Sequence, residues 1–127
     1  MAEVSETTKI IMRRIRALRG RHGWTASELA KHMAKVGIPW DRQIVTNVEN
    51  GKRANITVNE SLALARVFDV APIHLLVPVV DADVFNVTPN ETVPTSRARA
   101  WIRGAEPLPG TNPRPFRTEV PLDELGC

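Results

Sequence analysis

Four polar side chains lie close together near the middle of the chain: Arg42, Gln43, Thr46 and Asn47. Arginine can donate two hydrogen bonds to guanine, and glutamine or asparagine can pair in the same two-point way with adenine. Taken singly, each of these residues is typical of an ordinary solvent-exposed helix. Together on one short segment, they predict a surface that reads base edges in duplex DNA.

The sequence contains few features of a catalytic or metal-binding site. The three histidines, His22, His32 and His74, fall in different predicted elements, and none belongs to a His-Glu-x-x-His motif. The chain has neither a glycine-rich phosphate loop nor a nucleophile elbow. Its single cysteine, Cys127, excludes an internal disulfide and a cysteine-based zinc site. We therefore expect no enzymatic activity, no metal and no cofactor.

The polar residues belong to a predicted helix over Arg42–Glu49. Asp41 is a favourable N-cap for this helix, because its carboxylate can accept a hydrogen bond from an amide of the first turn. Ile44, Val45 and Val48 recur at the spacing of one helix face, which predicts that they point inward. The polar side chains are then presented outward, on the side away from this apolar row.

Two further helices are predicted before this one. The apolar spacing of Glu6–Arg19 predicts the first helix, which Gly20 and Gly23 are expected to end. The segment Thr25–Glu28 has the form of a capping box, so a second helix should begin there. A glycine and a proline that follow predict its end near Val36.

Two more helices complete the predicted bundle. A second capping box, Thr57–Glu60, opens a helix that should carry Leu62, Ala65 and Phe68 on one side. A short fifth helix is expected over Pro72–Leu76, because proline is well suited to the first position of a helix.

The character of the sequence changes after residue 78, since seven of the ten prolines follow this point. We expect short extended pieces at Val84–Thr88 and Thr92–Val93 and a short helix at Thr95–Gly104. The prediction is thus an all-α fold, a five-helix bundle over residues 1–78, followed by a proline-rich extension of little regular structure over residues 79–127.

Charge is unevenly distributed along the chain. The first part, Met1–Arg66, holds 12 lysines and arginines against 6 acidic residues, a difference of +6. The remainder, Val67–Cys127, holds 5 against 8, a difference of −3, so the total is +3. The basic first part is the one expected to meet a polyanion. No apolar run approaches the roughly 18 residues of a membrane span, and we expect a cytoplasmic protein with no membrane association.

The stretch Arg14–Leu76 resembles the lambda-repressor-like helix-turn-helix domain of the xenobiotic-response-element (Cro/repressor-type) transcriptional regulators. The resemblance rests on four phrases: Arg16–Arg19, Thr25–Ala30, Val45–Arg53 and Ala63–Ala65. It covers about half the chain and implies a compact helical DNA-binding domain. The Glu-Asn-Gly-Lys-Arg run within the third phrase is its most specific part.

The resemblance also implies roles for individual residues. Base contacts are implied for Arg42, Gln43 and Asn47, with Thr46 as a further candidate. Phosphate contacts are implied for Thr25, Asn50, Gly51, Lys52 and Arg53. A buried ion pair between Arg19 and Glu49 is implied to tie the first helix to the reading helix. If so, loss of one partner would strand a buried charge.

The chain departs from the family pattern at two places. Ala26 stands where many members carry a glutamine, so the contact made by that glutamine is absent or replaced. The turn over residues 34–40 is several residues longer than the usual one. It resembles a turn of actinobacterial members, as does the later phrase Trp101–Pro109. Trp40, directly before the predicted cap, is expected to pack as a hydrophobic staple.

Residues and resemblance together predict a transcriptional regulator of double-stranded DNA, with repression as its expected action. One short helix reads only a few base pairs, so specificity in a genome calls for a homodimer on a pseudo-palindromic operator. The expected dimer surface is the extension, residues 79–127, with Trp101 and Ile102 as apolar anchors.

Two alternatives remain open. The first is an antitoxin-type interaction module, in which the extension from Val79 onward wraps a protein partner. The second is a DNA-binding accessory factor of a plasmid or phage.

Overall fold

The structure, a computed structural model, describes residues 5–77 and 84–124. The elements run in the order α1 (Glu6–His22), α2 (Ala26–Lys35), α3 (Arg42–Glu49), α4 (Val58–Phe68), α5 (Pro72–Leu76), β1 (Val84–Thr88), β2 (Glu91–Pro94), α6 (Thr95–Ile102), α7 (Pro113–Thr118) and a 3-10 helix (Leu122–Glu124). The expected boundary between residues 78 and 79 and the thiol of Cys127 lie outside the described residues. In the described ranges, no helix combines the length and the apolar character needed to cross a membrane.

The first helix is longer than the sequence predicts. It passes through Gly20 and ends at His22, because the left-handed conformation that closes a helix occurs at Gly23, with φ 69°. The amide of Trp24 then donates to the carbonyl of Arg19, 3.2 Å away. A glycine inside a helix costs about 1 kcal/mol relative to alanine and does not by itself end the helix, so the expected end at Arg19 was wrong.

Both predicted capping boxes are present. The Thr25 hydroxyl accepts from the Glu28 amide at 3.1 Å, and the Thr25 amide donates to the Glu28 carboxylate at 3.0 Å. Thr57 and Glu60 make the same reciprocal pair at the start of α4, at 3.0 and 2.9 Å. These caps fix where α2 and α4 begin and therefore which side chains point inward.

The five helices of residues 5–77 enclose one apolar core. Its members come from α1 to α5, and its fully enclosed side chains include Ile15, Leu29, Met33, Val45, Val48, Leu64, Phe68 and Leu75. Leu62 was predicted to share one side of α4 with Ala65 and Phe68, but it is 54% exposed, whereas Ala65 and Phe68 are buried. The cap at Thr57 sets a phase in which the row Glu60, Leu64 and Phe68 faces the core.

The extension carries more regular structure than expected and includes a sheet, which corrects the all-α prediction. Strands β1 and β2 form an antiparallel hairpin in which Phe85 lies opposite Val93. Helix α6 packs on both strands. Together with Val77 they enclose a second core, to which Ala98 and Leu108 also contribute. Pro89 lies in the turn of the hairpin and Pro94 is the N-cap of α6, positions where a proline does not disrupt the unit.

The second core is built against the first five helices. Ile10 of α1 and Ile73 and Leu76 of α5 pack onto it. Trp101 and Ile102, the expected anchors of a dimer surface, are half-buried against the same cluster, so α6 packs its apolar side within the chain. The hairpin and α6 therefore form an integral layer beside α1 and α5.

Polar contacts reinforce this attachment. Arg99 of α6 donates to the carbonyl of Val77 at 3.3 Å and contacts Nδ1 of His74 at 3.1 Å. Within the helical body, Arg14 of α1 donates to the carbonyl of His74 in α5 at 3.0 Å. At the start of α1, the Thr7 hydroxyl donates to the carbonyl of Asn86 in β1, 3.2 Å away. The extension is thus held to the helical body through Arg99 at the end of α5 and through Asn86 at the start of α1.

Replacement of Phe85 with alanine should lower the free energy of unfolding by about 3 to 5 kcal/mol, because the ring is enclosed in the second core. Urea denaturation followed by circular dichroism measures this change. Phe116 of α7 provides the matched control, since it is only half-buried and belongs to neither core. Phe116→Ala should cost less than about 1 kcal/mol. Equal losses would contradict the second core.

Candidate nucleic-acid interface

Helix α3 presents one apolar side and one polar side. Val45 and Val48 are fully buried, and the carboxylate of Asp41 accepts from the Ile44 amide at 2.9 Å, which fixes the first turn. The outward side carries the predicted reading residues. Of these, Arg42, Gln43 and Thr46 are exposed and Asn47 is half-buried.

Two of the reading residues form a pair. The amide nitrogen of Gln43 donates to the amide oxygen of Asn47 at 3.0 Å, one helical turn later. The pair leaves the Gln43 oxygen and the Asn47 nitrogen available to a partner, one acceptor and one donor side by side. Thr46 instead turns its hydroxyl back onto the carbonyl of Arg42, at 3.0 Å. Gln43 and Asn47 therefore offer the better defined reading surface.

The end of α3 is fixed by Arg19 and Glu49. Two guanidinium nitrogens of Arg19 contact the two oxygens of Glu49 at 2.6 and 2.8 Å, and a third donates to the carbonyl of Trp24 at 2.9 Å. The hydrogen bond to Glu49 raises the pKa of Arg19, and burial opposes this rise. The side chains are 22% and 10% exposed, so the pair is partly rather than completely buried.

The start of α3 is fixed by a second charged group that the sequence analysis missed. Glu60 is only 7% exposed. One of its oxygens accepts from the indole nitrogen of Trp40 at 2.9 Å and from Arg53 at 2.7 Å, while the other accepts from the Thr57 amide at 2.9 Å. Arg53 also lies over the Trp40 ring, with 5.8 Å to the centroid. The carboxylate thus joins the segment before α3, the segment after it and α4.

Burial alone would raise the pKa of Glu60. Hydrogen bonds from Arg53, from the Thr57 amide and from Trp40 outweigh that effect and hold the pKa below its usual value. The capping-box pattern identified Glu60 as a cap. Its bond to Trp40 could also have been predicted, because a buried tryptophan needs an acceptor for its N–H group and a nearby carboxylate can supply one.

The residues with implied phosphate contacts lie on two elements. Thr25 caps α2, where its hydroxyl accepts from the Glu28 amide. After α3, the Asn50 side chain accepts from the Lys52 amide at 3.1 Å, and Gly51 has a positive φ of 78°. Lys52 is exposed, as are Thr25, Asn50 and Gly51. The loop therefore presents the Lys52 cation directly beside the end of α3, while the amides of residues 50–53 donate to acceptors within the chain.

Arg53 is placed differently from the expectation. Its ion pair with Glu60 and its position over Trp40 commit the guanidinium to the protein, and its side chain is 33% exposed. This geometry favours a structural role over a phosphate contact. Arg53 still borders a recess of about 240 Å³, together with Ile44, Asn47 and Lys52. The recess links the reading side chains to the loop that follows them.

The lengthened turn between α2 and α3 is anchored in the core. Gly37 adopts φ 94°, and the amide of Ile38 donates to the carbonyl of Met33 at 3.0 Å. Ile38 and Trp40 are 8% and 7% exposed. The ring of Trp40 is therefore part of the core, in line with a staple and not with base stacking.

The histidines serve packing contacts. His22 and His32 stack on the two sides of Trp24, with ring centroids 4.3 and 4.1 Å apart. The ring of His22 also contacts the carbonyl of Phe68 at 3.2 Å. Across residues 5–77 and 84–124, no group of three or more histidine, cysteine or acidic side chains is placed to hold a metal ion.

Comparison with known proteins finds similarity over the helical region. Residues 15–75 match the family model described as "Helix-turn-helix". The chain is also similar to a solved structure described as "hypothetical transcription factor NHTF from Neisseria", with 27% identity and a TM-score of 0.50. That likeness covers 61% of this chain and 86% of the other. No curated protein matches the chain.

Glu49→Ala should lower the free energy of unfolding by about 1 to 3 kcal/mol, because it leaves the partly buried guanidinium of Arg19 without its acceptor. Thermal and urea denaturation measure the loss. Lys52→Ala removes an exposed charge only three residues away and should change stability by less than about 0.5 kcal/mol. Equal effects would mean that the Arg19–Glu49 pair does not hold α3.

The stability contributed by Glu60 should depend on pH. Because its folded pKa is below the unfolded value of about 4.3, this contribution is complete above that pH and is lost as the pH falls through the folded pKa. A protonated glutamate resembles glutamine in shape. Wild type should therefore be more stable than Glu60→Gln at pH 7, and the two unfolding free energies should converge toward pH 3. A constant difference across this range would contradict the assignment.

Proposed function

We propose that the chain is a sequence-specific, double-stranded DNA-binding transcriptional regulator in which α3 lies in the major groove. The observation that carries the proposal is the Gln43–Asn47 amide pair on the outward side of α3, opposite the buried Val45 and Val48. A major groove about 12 Å wide admits one helix, and amide side chains pair with adenine edges there. The function proposed is thus binding, without catalysis.

Three further observations support this proposal. Residues 15–75 match the helix-turn-helix family, and the similar structure from Neisseria carries the words "transcription factor" in its description. Basic residues exceed acidic ones by six in the first 66 residues. Both ends of α3 are fixed by charged contacts, at Glu49 and through Trp40, which gives the reading side chains a defined position.

The proposed contacts follow the exposure of each residue. Arg42, Gln43 and Asn47 are assigned to base edges, with Thr46 as a further candidate. Phosphate contacts are assigned to Thr25, Asn50, Gly51 and Lys52. Each is exposed, Thr25 at the start of α2 and the others directly after α3. Phosphate oxygens position a protein on the duplex, whereas base edges determine sequence. Arg53 is assigned instead to holding Trp40 and Glu60 in place.

We further propose a repressor that acts in the cytoplasm as a homodimer on a pseudo-palindromic operator. The eight-residue reading helix spans few base pairs, which makes two half-sites necessary for genomic specificity. A dimer contact through residues 79–127 has weaker support than the sequence suggested, because Trp101 and Ile102 are packed within the chain. The same packing weakens the antitoxin-type alternative, in which the extension would wrap a protein partner.

Selection of bound duplexes from a random-sequence library tests the function directly. Arg42→Ala, Gln43→Ala or Asn47→Ala should each cost about 1 to 3 kcal/mol on the selected duplex and relax the preference at one base position. Binding to random DNA should barely change. Because Gln43 and Asn47 contact each other, the double variant should lose less than the sum of the single losses. An unchanged ratio of specific to random binding would exclude α3 as the reader.

Lys52→Ala is the matched control for these variants. It should weaken binding to every sequence by the same factor and reduce the salt slope by about one unit. For the wild type, the logarithm of affinity should fall with the logarithm of salt concentration by about 0.9 per phosphate neutralised. A flat salt dependence would contradict DNA binding.

A further inference from the structure

Two large apolar side chains are exposed on the same side of α4. Val58 is 78% exposed, more than any other large apolar residue in the described ranges, and Leu62 is 54% exposed. Residues four positions apart on a helix are neighbours on its surface. A single exposed apolar residue is common on protein surfaces, whereas an adjacent pair forms a patch that water solvates poorly.

The segment around this pair presents no charge to solvent. From residue 54 to residue 65 the chain contains one charged residue, Glu60, which is 7% exposed and paired with Arg53. Charged residues make up 24% of the whole chain. Beyond the segment, Arg66 is paired with Asp69 at 3.1 Å. Depletion of charge around exposed apolar groups is the composition found at the centre of protein interfaces.

This composition fits a second copy of the same chain better than a charged partner. In a two-fold contact each surface meets its own kind, so any unpaired charge near the axis would face a like charge. The first 66 residues carry an excess of six positive charges, and two copies would repel each other over most of this region. The uncharged segment offers a surface on which two copies approach without that repulsion.

The size of the patch indicates how the contact acts. Two exposed side chains per copy bury far less than the roughly 1,600 Å² of a standard stable interface. A contact of this size is weak between free molecules. It becomes effective when a duplex holds two copies side by side, because the second contact is then intramolecular.

The position of the patch suits this use. Helix α4 is joined to the start of α3 through Glu60 and Trp40, and to the loop after α3 through Arg53. A contact made by α4 would therefore restrict the distance between the two copies of α3 to a narrow range. We propose that the face of α4 around Val58 and Leu62 is the contact between two copies of this chain on adjacent half-sites. The proposal rests on the DNA-binding function proposed above.

Leu62→Glu tests the contact, because it places like charges across the two-fold axis at a site that tolerates a polar residue. Val84→Glu is the control: it adds the same charge at a 57% exposed valine on β1, away from α4. The probes are duplexes obtained by selection, carrying either one half-site or two. Leu62→Glu should bind a single half-site as the wild type does and lose about tenfold to a hundredfold of the affinity for two.

The outcomes separate this proposal from the proposed function. Equal binding of two half-sites by Leu62→Glu and Val84→Glu would overturn the contact and leave DNA binding intact. If selection recovered no duplex, DNA binding would fail, and sedimentation equilibrium of the free protein would decide the contact. Weak self-association that Leu62→Glu abolishes and Val84→Glu retains would support it. A wild type that stays monomeric even at the highest concentration it tolerates, where a weak contact would be populated, would overturn it. Should Leu62→Glu fail to fold, Val58→Glu provides the same test.

Discussion

The hydrogen bonds of the Glu60 carboxylate are the interactions on which the position of α3 depends. Removing a carboxylate from water is costly, and the cost is met here only because its oxygens accept three hydrogen bonds from the protein. Those donors belong to the residue before the cap of α3, to the loop after α3 and to the start of α4. One charge thereby joins the segment before α3, the loop after α3 and the start of α4.

The Arg19–Glu49 pair complements this arrangement at the other end of α3. A helix of eight residues is too short to be stable alone, so its orientation must come from tertiary contacts. Val45 and Val48 supply apolar burial but leave the helix free to rotate slightly about its axis. The two charged contacts restrict that rotation, because hydrogen bonds depend on direction where apolar packing does not. The amide pair on the outward side is accordingly presented in one orientation.

Much of the domain could be predicted because its signals are local. The caps at Thr25 and Thr57 and the apolar row of α3 depend on residues within one or two turns, and the start of each helix from α1 to α5 was found. Two local features were missed: the closing conformation occurs at Gly23 and leaves Gly20 within α1, and the phase set by the Thr57 cap exposes Leu62. Contacts between distant residues were not predicted. The hydrogen bond from Trp40 to Glu60 joins residues 20 positions apart, and the second core joins α1 and α5 to the hairpin and α6.

The extension contacts the helical body through residues that are far apart in sequence. Thr7 near the start of α1 contacts the strand residue Asn86, across 79 residues of sequence. The contacts among α1 to α5 span shorter stretches and can form early, whereas this one must await the hairpin. During synthesis on the ribosome, α1 is made before the hairpin and α6, so its outer side, including Ile10, stays uncovered until those elements have emerged. Until then this apolar surface is open to non-native contacts while the chain is still growing.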